Sequence, residues 1–313
     1  FLINLYCSII CIKNNALLTE LYSLKFYGYS FIFCWLYMNI IKGVKFTNLN
    51  NIGLILFDID GVIRDVGNSY RLAAQKTVAH FCKWEPTPID IDNLKNEGLW
   101  NNDWDLSLEL IRRYISANNL KIIPPSRVEI ISLFKKLYFG YKSSEANDNW
   151  TGFIKNEKLL VDKFFFETLS KNGIKWGFVS GAEPESANFI LKNRLKLNNP
   201  PLIAMNDAPD KPNPEGFLYL ASKLSDKKLG INTPPIAYVG DTIADVKTIL
   251  NARQKITNQR FISIAIAPPH LHSQSVQKRR AEYETNLLNA GADFVLKQIT
   301  DLNNVYKDIF KPY

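Results

Sequence analysis

The sequence predicts an α/β fold: an open parallel sheet with helices on both faces and a helical cap domain inserted behind the first strand. Three observations predict it. Short apolar runs alternate with helix-patterned stretches from residue 52 onward. The later repeats are each one strand–helix–strand unit long, with 31 residues from Ser180 to Lys211 and 30 from Lys211 to Asp241. The first interval, Asp58 to Ser180, is 122 residues, which leaves roughly 90 residues to be housed outside the sheet.

The first strand is the run IGLILFDID at 52–60, apolar throughout until it ends in acids, as a strand buried on both faces should be. Behind it come helix signals. Residues 68–82 and 103–119 place apolar side chains at helical spacing, and Ser126-Arg127-Val128-Glu129 after Pro124-Pro125 is a capping-box start. Further strands follow at 174–181, 201–205, 236–241, 261–267 and 293–297. Helices are expected at 158–171, 184–195, 214–225, 243–252, 276–290 and 300–309. The chain therefore divides into an N-terminal extension at 1–50, a catalytic core at 51–65 and 156–313, and a helical cap at 66–155.

The extension is the odd part. The chain begins with Phe1, and residues 1–37 are rich in Phe, Tyr, Cys, Ile and Leu without a steady period. Its uncharged runs fall short of the ~20 apolar residues that span a bilayer, and no small-residue cleavage site follows. A membrane-associating leader, a genuine extension and a translated upstream region compete. The last is favoured, with the natural start at Met38, because fold-like patterning begins just beyond it.

With 46% hydrophobic and 22% charged residues in 313, the composition is that of a globular protein and excludes a disordered chain. The formal charge is +8, but the lysines are scattered and the one dense cluster, Lys278-Arg279-Arg280, falls in a helical stretch. A solvated helical face explains it, and no nucleic-acid motif supports nucleic acid as a partner. The four cysteines form no C-x-x-C pair, so a reducing, cytoplasmic setting without disulfides or structural zinc is expected. No P-loop and no dinucleotide G-x-G-x-x-G occurs. His270 and His272 beside Pro268-Pro269 read as a loop and not as a metal site.

Three D-x-D pairs are present: Asp58/Asp60, Asp90/Asp92 and Asp103/Asp105. Asp90 and Asp92 read as a polar loop after Pro86 and Pro88, and Asp103 and Asp105 as acids at a helix start. The first pair differs in its setting, because it leaves the carboxyl end of a buried strand, where ligands bind in open parallel sheets. Three later segments deliver Ser180-Gly181, Lys211, and Gly240-Asp241 with Asp245 to the same edge. A hydroxyl, a lysine and four acids arriving at regular spacing at one edge mark a functional site.

These residues resemble the four motifs of the haloacid dehalogenase superfamily, most of whose members are phosphatases. FDIDGV (57–62), FVSG (178–181), DKPNPEGF (210–217) and VGDTIADV (239–246) stand in that order, and the insertion is similar to the family's helical first-type cap. The resemblance implies a Rossmann-like parallel-sheet core, magnesium as cofactor and a small phosphorylated metabolite as substrate. It implies Asp58 as nucleophile, Asp60 as general acid/base, and Ser180 and Lys211 as holders of phosphoryl oxygens. Asp58, Asp60 (through its carbonyl), Asp241 and Asp245 would form the metal site, Asp245 acting from behind the direct ligands. A dehalogenase releases halide, which needs no proton, so the acid at Asp60 argues for a C–O–P substrate. A phosphomutase of the beta-phosphoglucomutase kind and a non-catalytic binding protein on the same scaffold are the alternatives. Substrate contacts are expected from the cap at Asn102, Trp104 and Arg112, and from Gly181 in the core.

Overall fold

The computed structural model describes residues 52–140 and 150–311. The expectations for the extension at 1–50 therefore lie outside the described residues, apart from the onset of patterning at 52.

Six parallel strands form the main sheet in the order β5–β4–β1–β6–β7–β8. They are β1 (Gly53–Phe57), β4 (Ile174–Val179), β5 (Leu202–Ile203), β6 (Ile236–Gly240), β7 (Phe261–Ile266) and β8 (Phe294–Leu296). Two more, β2 (Arg64–Asp65) and β3 (Lys158–Leu159), make a separate antiparallel pair. β1 is central, with Leu56 opposite Gly177 of β4 and Tyr238 of β6. The chain builds outward from β1 to one side through β4 and β5, then returns to the other side of β1 with β6. Such a reversal opens a crevice at the carboxyl ends of the strands.

The unbroken apolar runs follow from burial on both faces. Ile55 and Phe57 of β1 enter one layer with Phe165, Phe166 and Leu169 of α5 (Lys163–Lys171) and with Leu302, Tyr306 and Ile309 of α10 (Leu302–Ile309). Leu54 and Leu56 enter the opposite layer with Phe217 and Leu220 of α7 (Glu215–Ser225) and Ile249 of α8 (Ile243–Lys255). Each such side chain contributes about 1.5–3 kcal/mol by leaving water. The helix α9 (Gln277–Asn289) covers β7 through Tyr283 and Leu287.

Between β2 and β3 the described residues form four α-helices: α1 (Tyr70–Cys82), α2 (Pro88–Asn96), α3 (Asp103–Ala117) and α4 (Arg127–Phe139). They share an apolar cluster of their own that includes Val78, Leu106, Ile111, Ile130 and Phe134. The capping box at Ser126 forms as expected, with Glu129 reaching back to the Ser126 N–H at 2.7 Å.

The elements differ from the sequence expectations in four places. Asp90 and Asp92 lie in α2, not in a loop: Pro88 occupies the first turn, where it costs no hydrogen bond, and Thr87 and Asp90 cap it reciprocally. The single helix expected over 158–171 splits into β3 and α5, because Asp162 caps the start of α5 by accepting from Phe165 N–H. Residues 184–195 form a short α6 (Pro184–Asn188) continued by a wider turn at Phe189–Arg194. The strand at 201–205 contracts to two residues.

Candidate active site

All four motif segments end at the crevice. Asp58 follows β1 and is 5% exposed, and its Oδ1 accepts from the Ile59 N–H at 2.8 Å. Lys211 lies between two carboxylates, 2.9 Å from Asp58 Oδ2 and 2.6 Å from Asp245 Oδ1. It also donates to the Tyr238 hydroxyl at 3.1 Å, which in turn donates to the Val179 carbonyl. Asp245 is the third residue of α8, where its Oδ2 accepts from the Thr242 N–H and hydroxyl in a capping box. Ser180 is buried, its N–H held by the Ile203 carbonyl and its Oγ accepting from Ala182 N–H.

The backbone around these acids leaves room only for glycine at two positions. Gly61 has φ +76°, and a Cβ there would lie 2.0 Å from Asp241 Oδ2. A Cβ at Gly240 would lie 2.2 Å from the Asp245 Cβ.

Carboxylate oxygens of Asp58, Asp241 and Asp245 come within 4.8 Å of one another, all three residues buried. Burial pushes the Asp58 carboxyl up to about 6, opposed by the Lys211 charge and reinforced by Asp245 and Asp60. Burial, with Asp245 and Asp58 beside it, pushes Asp241 well above the usual carboxylate range. Burial alone would lower Lys211, but Asp245 and Asp58 outweigh it and hold the ammonium charged. Lys211 is shared by Asp58 and Asp245, while Asp241 makes no ion pair among the described residues, so the cluster keeps oxygen ligands to spare. A hard divalent cation with oxygen ligands fits that donor set.

Asp60 is set differently. After β1 the chain turns back on itself, so Arg64 donates from Nε to Asp60 Oδ1 at 2.6 Å. Arg64 is fully buried, and its Nη1 pairs with Glu157 at 2.8 Å. Glu157 also accepts from Ser69 and Tyr138, each at 2.8 Å. The residues leaving the sheet toward α1 and those returning from α4 are thus joined in one buried network beneath Asp60.

The helical layer closes the crevice into a cleft of about 790 Å³, its open mouth included. Asp58, Asp60, Ser180, Gly181, Lys211 and Asp241 line it from the core, and Asn102, Trp104, Arg71 and Lys95 from the helices. Of the residues expected from sequence, Asn102 is there but also caps α3, its Oδ1 accepting from Trp104 N–H. Trp104 is there and mostly buried in the helical cluster. Arg112 is a correction: it lies on the exposed face of α3 and does not line the cleft, because the helix turns its apolar side inward. Sequence reading missed Arg71, Lys95 and Tyr238. A tyrosine inside the otherwise aliphatic run IAYVG was the one available sign, since a buried hydroxyl needs a partner.

An acid cluster and a buried lysine thus lie at the switch point of a parallel α/β sheet, beside an inserted helical layer. The chain belongs to the haloacid dehalogenase-like hydrolase family, whose model matches residues 52–253. A curated relative, the imidazoleglycerol-phosphate dehydratase of Phytophthora nicotianae, is 32% identical over 194 residues, or 61% of this chain. This chain spans 40% of that protein's length. Solved structures share the fold. A phosphonoacetaldehyde hydrolase-like protein from Oleispira antarctica has TM-score 0.59 at 18% identity, over 84% of this chain and 94% of its own. Phosphatase Tt82 from Thermococcus thioreducens has TM-score 0.51 at 22% identity, over 75% and 99%. No helix among the described residues is long and apolar enough to cross a membrane.

Proposed function

We propose that this hydrolase is a magnesium-dependent phosphatase of a small phosphorylated metabolite, working through an aspartyl phosphate on Asp58. The observation that carries the reading is the convergence of Asp58, Asp241 and Asp245 at the crevice, with Lys211 held between Asp58 and Asp245. Asp58, Asp241 and the Asp60 carbonyl would hold the cation, with Asp245 behind them orienting Lys211. When bound, magnesium neutralises charge on the phosphoryl oxygens and on the carboxylates.

The Asp58 carboxylate attacks phosphorus, and the ester oxygen leaves as the P–O bond breaks. Ser180 and Lys211 hold the equatorial oxygens, where charge spreads in the transition state. Asp60 gives its proton to the leaving oxygen, then takes one from the water that opens the aspartyl phosphate. Such acid/base help is worth about 10²–10⁴ in rate. Its carboxylate reaches solvent, with a quarter of the side chain exposed, while Arg64 fixes its direction.

The helices and the core together would form the domain division read from sequence, a cap at 66–155 over a core at 51–65 and 156–313. The dehydratase activity in the name of the Phytophthora relative is not carried over, since that protein extends well beyond the matched part.

The test is turnover of a panel of alkyl phosphates with magnesium and with excess chelator. Phosphate release that stops on chelation, returns with magnesium and passes through an acid-stable, hydroxylamine-labile phosphoenzyme is the expected result. Activity persisting in chelator refutes the metal assignment. Turnover that requires a bisphosphate activator and releases no phosphate favours the phosphomutase alternative.

A further inference from the structure

We propose that Arg71 forms a subsite for a second anionic group on the substrate, so that the enzyme acts on phosphate monoesters that also carry a carboxylate or a second phosphoryl group. The inference deepens the phosphatase reading and rests on it.

Arg71 is the second residue of α1 and is 8% exposed. Its Nη1 donates to Asp92 Oδ1 of α2 at 2.8 Å. Asp92 cannot offer the guanidinium a two-pronged match, because its other oxygen is occupied from the core side. His270 Nε2 donates to Asp92 Oδ2 at 2.9 Å and Arg279 Nη2 at 3.1 Å. Arg71 is therefore gripped by one corner. Among the described residues no hydrogen-bond partner takes its Nε or Nη2, and neither is sealed away from solvent.

The residue lines the same cleft as Asp58, Ser180 and Asp241. Lys95 lines the cleft as well, and both charges favour the ionised form of Asp241. Lys95 is partly neutralised by Asp103 at 2.9 Å. Of the other acids lining the cleft, Glu183 is matched by Lys135, and Asp210 stands on the core side next to Lys211 in sequence.

Donors that reach solvent are met by water, which a ligand with matching acceptors can displace. The planar Nε/Nη2 edge matches a carboxylate or a phosphoryl group, forming two parallel charge-assisted bonds. A lysine point charge would not give that geometry.

The experiment compares four substrates in the presence of magnesium: phosphoglycolate, ethyl phosphate, phosphoethanolamine and 1,3-propanediol bisphosphate. The wild type should favour phosphoglycolate or the bisphosphate over ethyl phosphate by about ten- to hundredfold in kcat/KM, the range for hydrogen bonds to charged groups. In Arg71→Gln that ratio should collapse toward one, mainly through KM. Arg71→Lys, which retains the charge that faces Asp92, should lose most of the ratio while keeping the wild-type Tm. Which of the two anionic substrates loses its advantage identifies the second group. A preference for phosphoethanolamine, or a phosphoglycolate preference surviving in both variants, overturns the subsite. If no substrate is turned over and no phosphoenzyme forms, the phosphatase reading itself falls and the subsite with it. If ethyl phosphate is hydrolysed without any anion preference, only the subsite falls.

Discussion

Replacing Arg64 with methionine should destabilise the protein by about 3–5 kcal/mol, the cost of breaking a buried ion pair from one side. Arg64 and Glu157 are both without solvent access in their side chains and 2.8 Å apart. Methionine fills similar space but leaves the Glu157 carboxylate buried, with only the Ser69 and Tyr138 hydroxyls to satisfy it. Asp60 loses a partner too, but water can reach it. The double variant Arg64→Met/Glu157→Gln removes the stranded charge, and both hydroxyls can still donate to the glutamine oxygen. It should recover at least about 2 kcal/mol of the loss, since a buried neutral amide costs far less than a buried unpaired carboxylate. Urea unfolding of the metal-free protein, with a common slope for the three proteins, reads these differences directly. A single-variant loss below about 1 kcal/mol refutes the reasoning, as does a double variant less stable than the single one.

Asp58→Asn should abolish turnover and the phosphoenzyme while preserving the circular dichroism spectrum, and wild-type turnover would rule out the nucleophile. Gly61→Ala should abolish activity and weaken magnesium binding measured by calorimetry, because its Cβ would lie on the Asp241 carboxylate in a backbone region alanine avoids. Burial would raise Asp92, but the His270 hydrogen bond and the Arg71 charge outweigh it and hold the carboxyl below its ordinary range. A depressed carboxyl stabilises the fold above its unfolded value, about 3.9, and that contribution disappears as pH falls through the folded one. Asp92→Asn should therefore flatten the acid limb of the stability–pH curve below about pH 4, and an unchanged acid limb would contradict the assignment.

The sheet was legible because its strands are buried on both faces and so read as unbroken apolar runs, and because the acids stand at their carboxyl ends. Those two signals survive in a single sequence. Pairings made at long range do not. Nothing in NSYRLAAQ marks Arg71 as lining the cleft, since its position depends on Asp92, which is itself aimed by His270 and Arg279, 178 and 187 positions away. Arg112 failed for a related reason: a charged residue on an amphipathic helix is placed by which face packs, and the apolar residues around it already turned it outward. The prolines at 86 and 88 suggested a loop because proline at the first helical turn and proline in a loop look alike without the capping partner.

The two outermost strands carry a consequence for the protein in solution. β5 is two residues long and β8 three, while the longer, more apolar strands occupy the interior of the sheet. An exposed strand edge is a template on which another chain can add, and its hazard grows with length. Edges this short give a passing strand few hydrogen bonds to propagate from, so the sticky sequences GLILF and FISIAI are shielded by their position. The prediction for handling is that concentration alone should not drive β-aggregation of the folded protein. Conditions that loosen β5 or β8 and uncover β4 or β7 should.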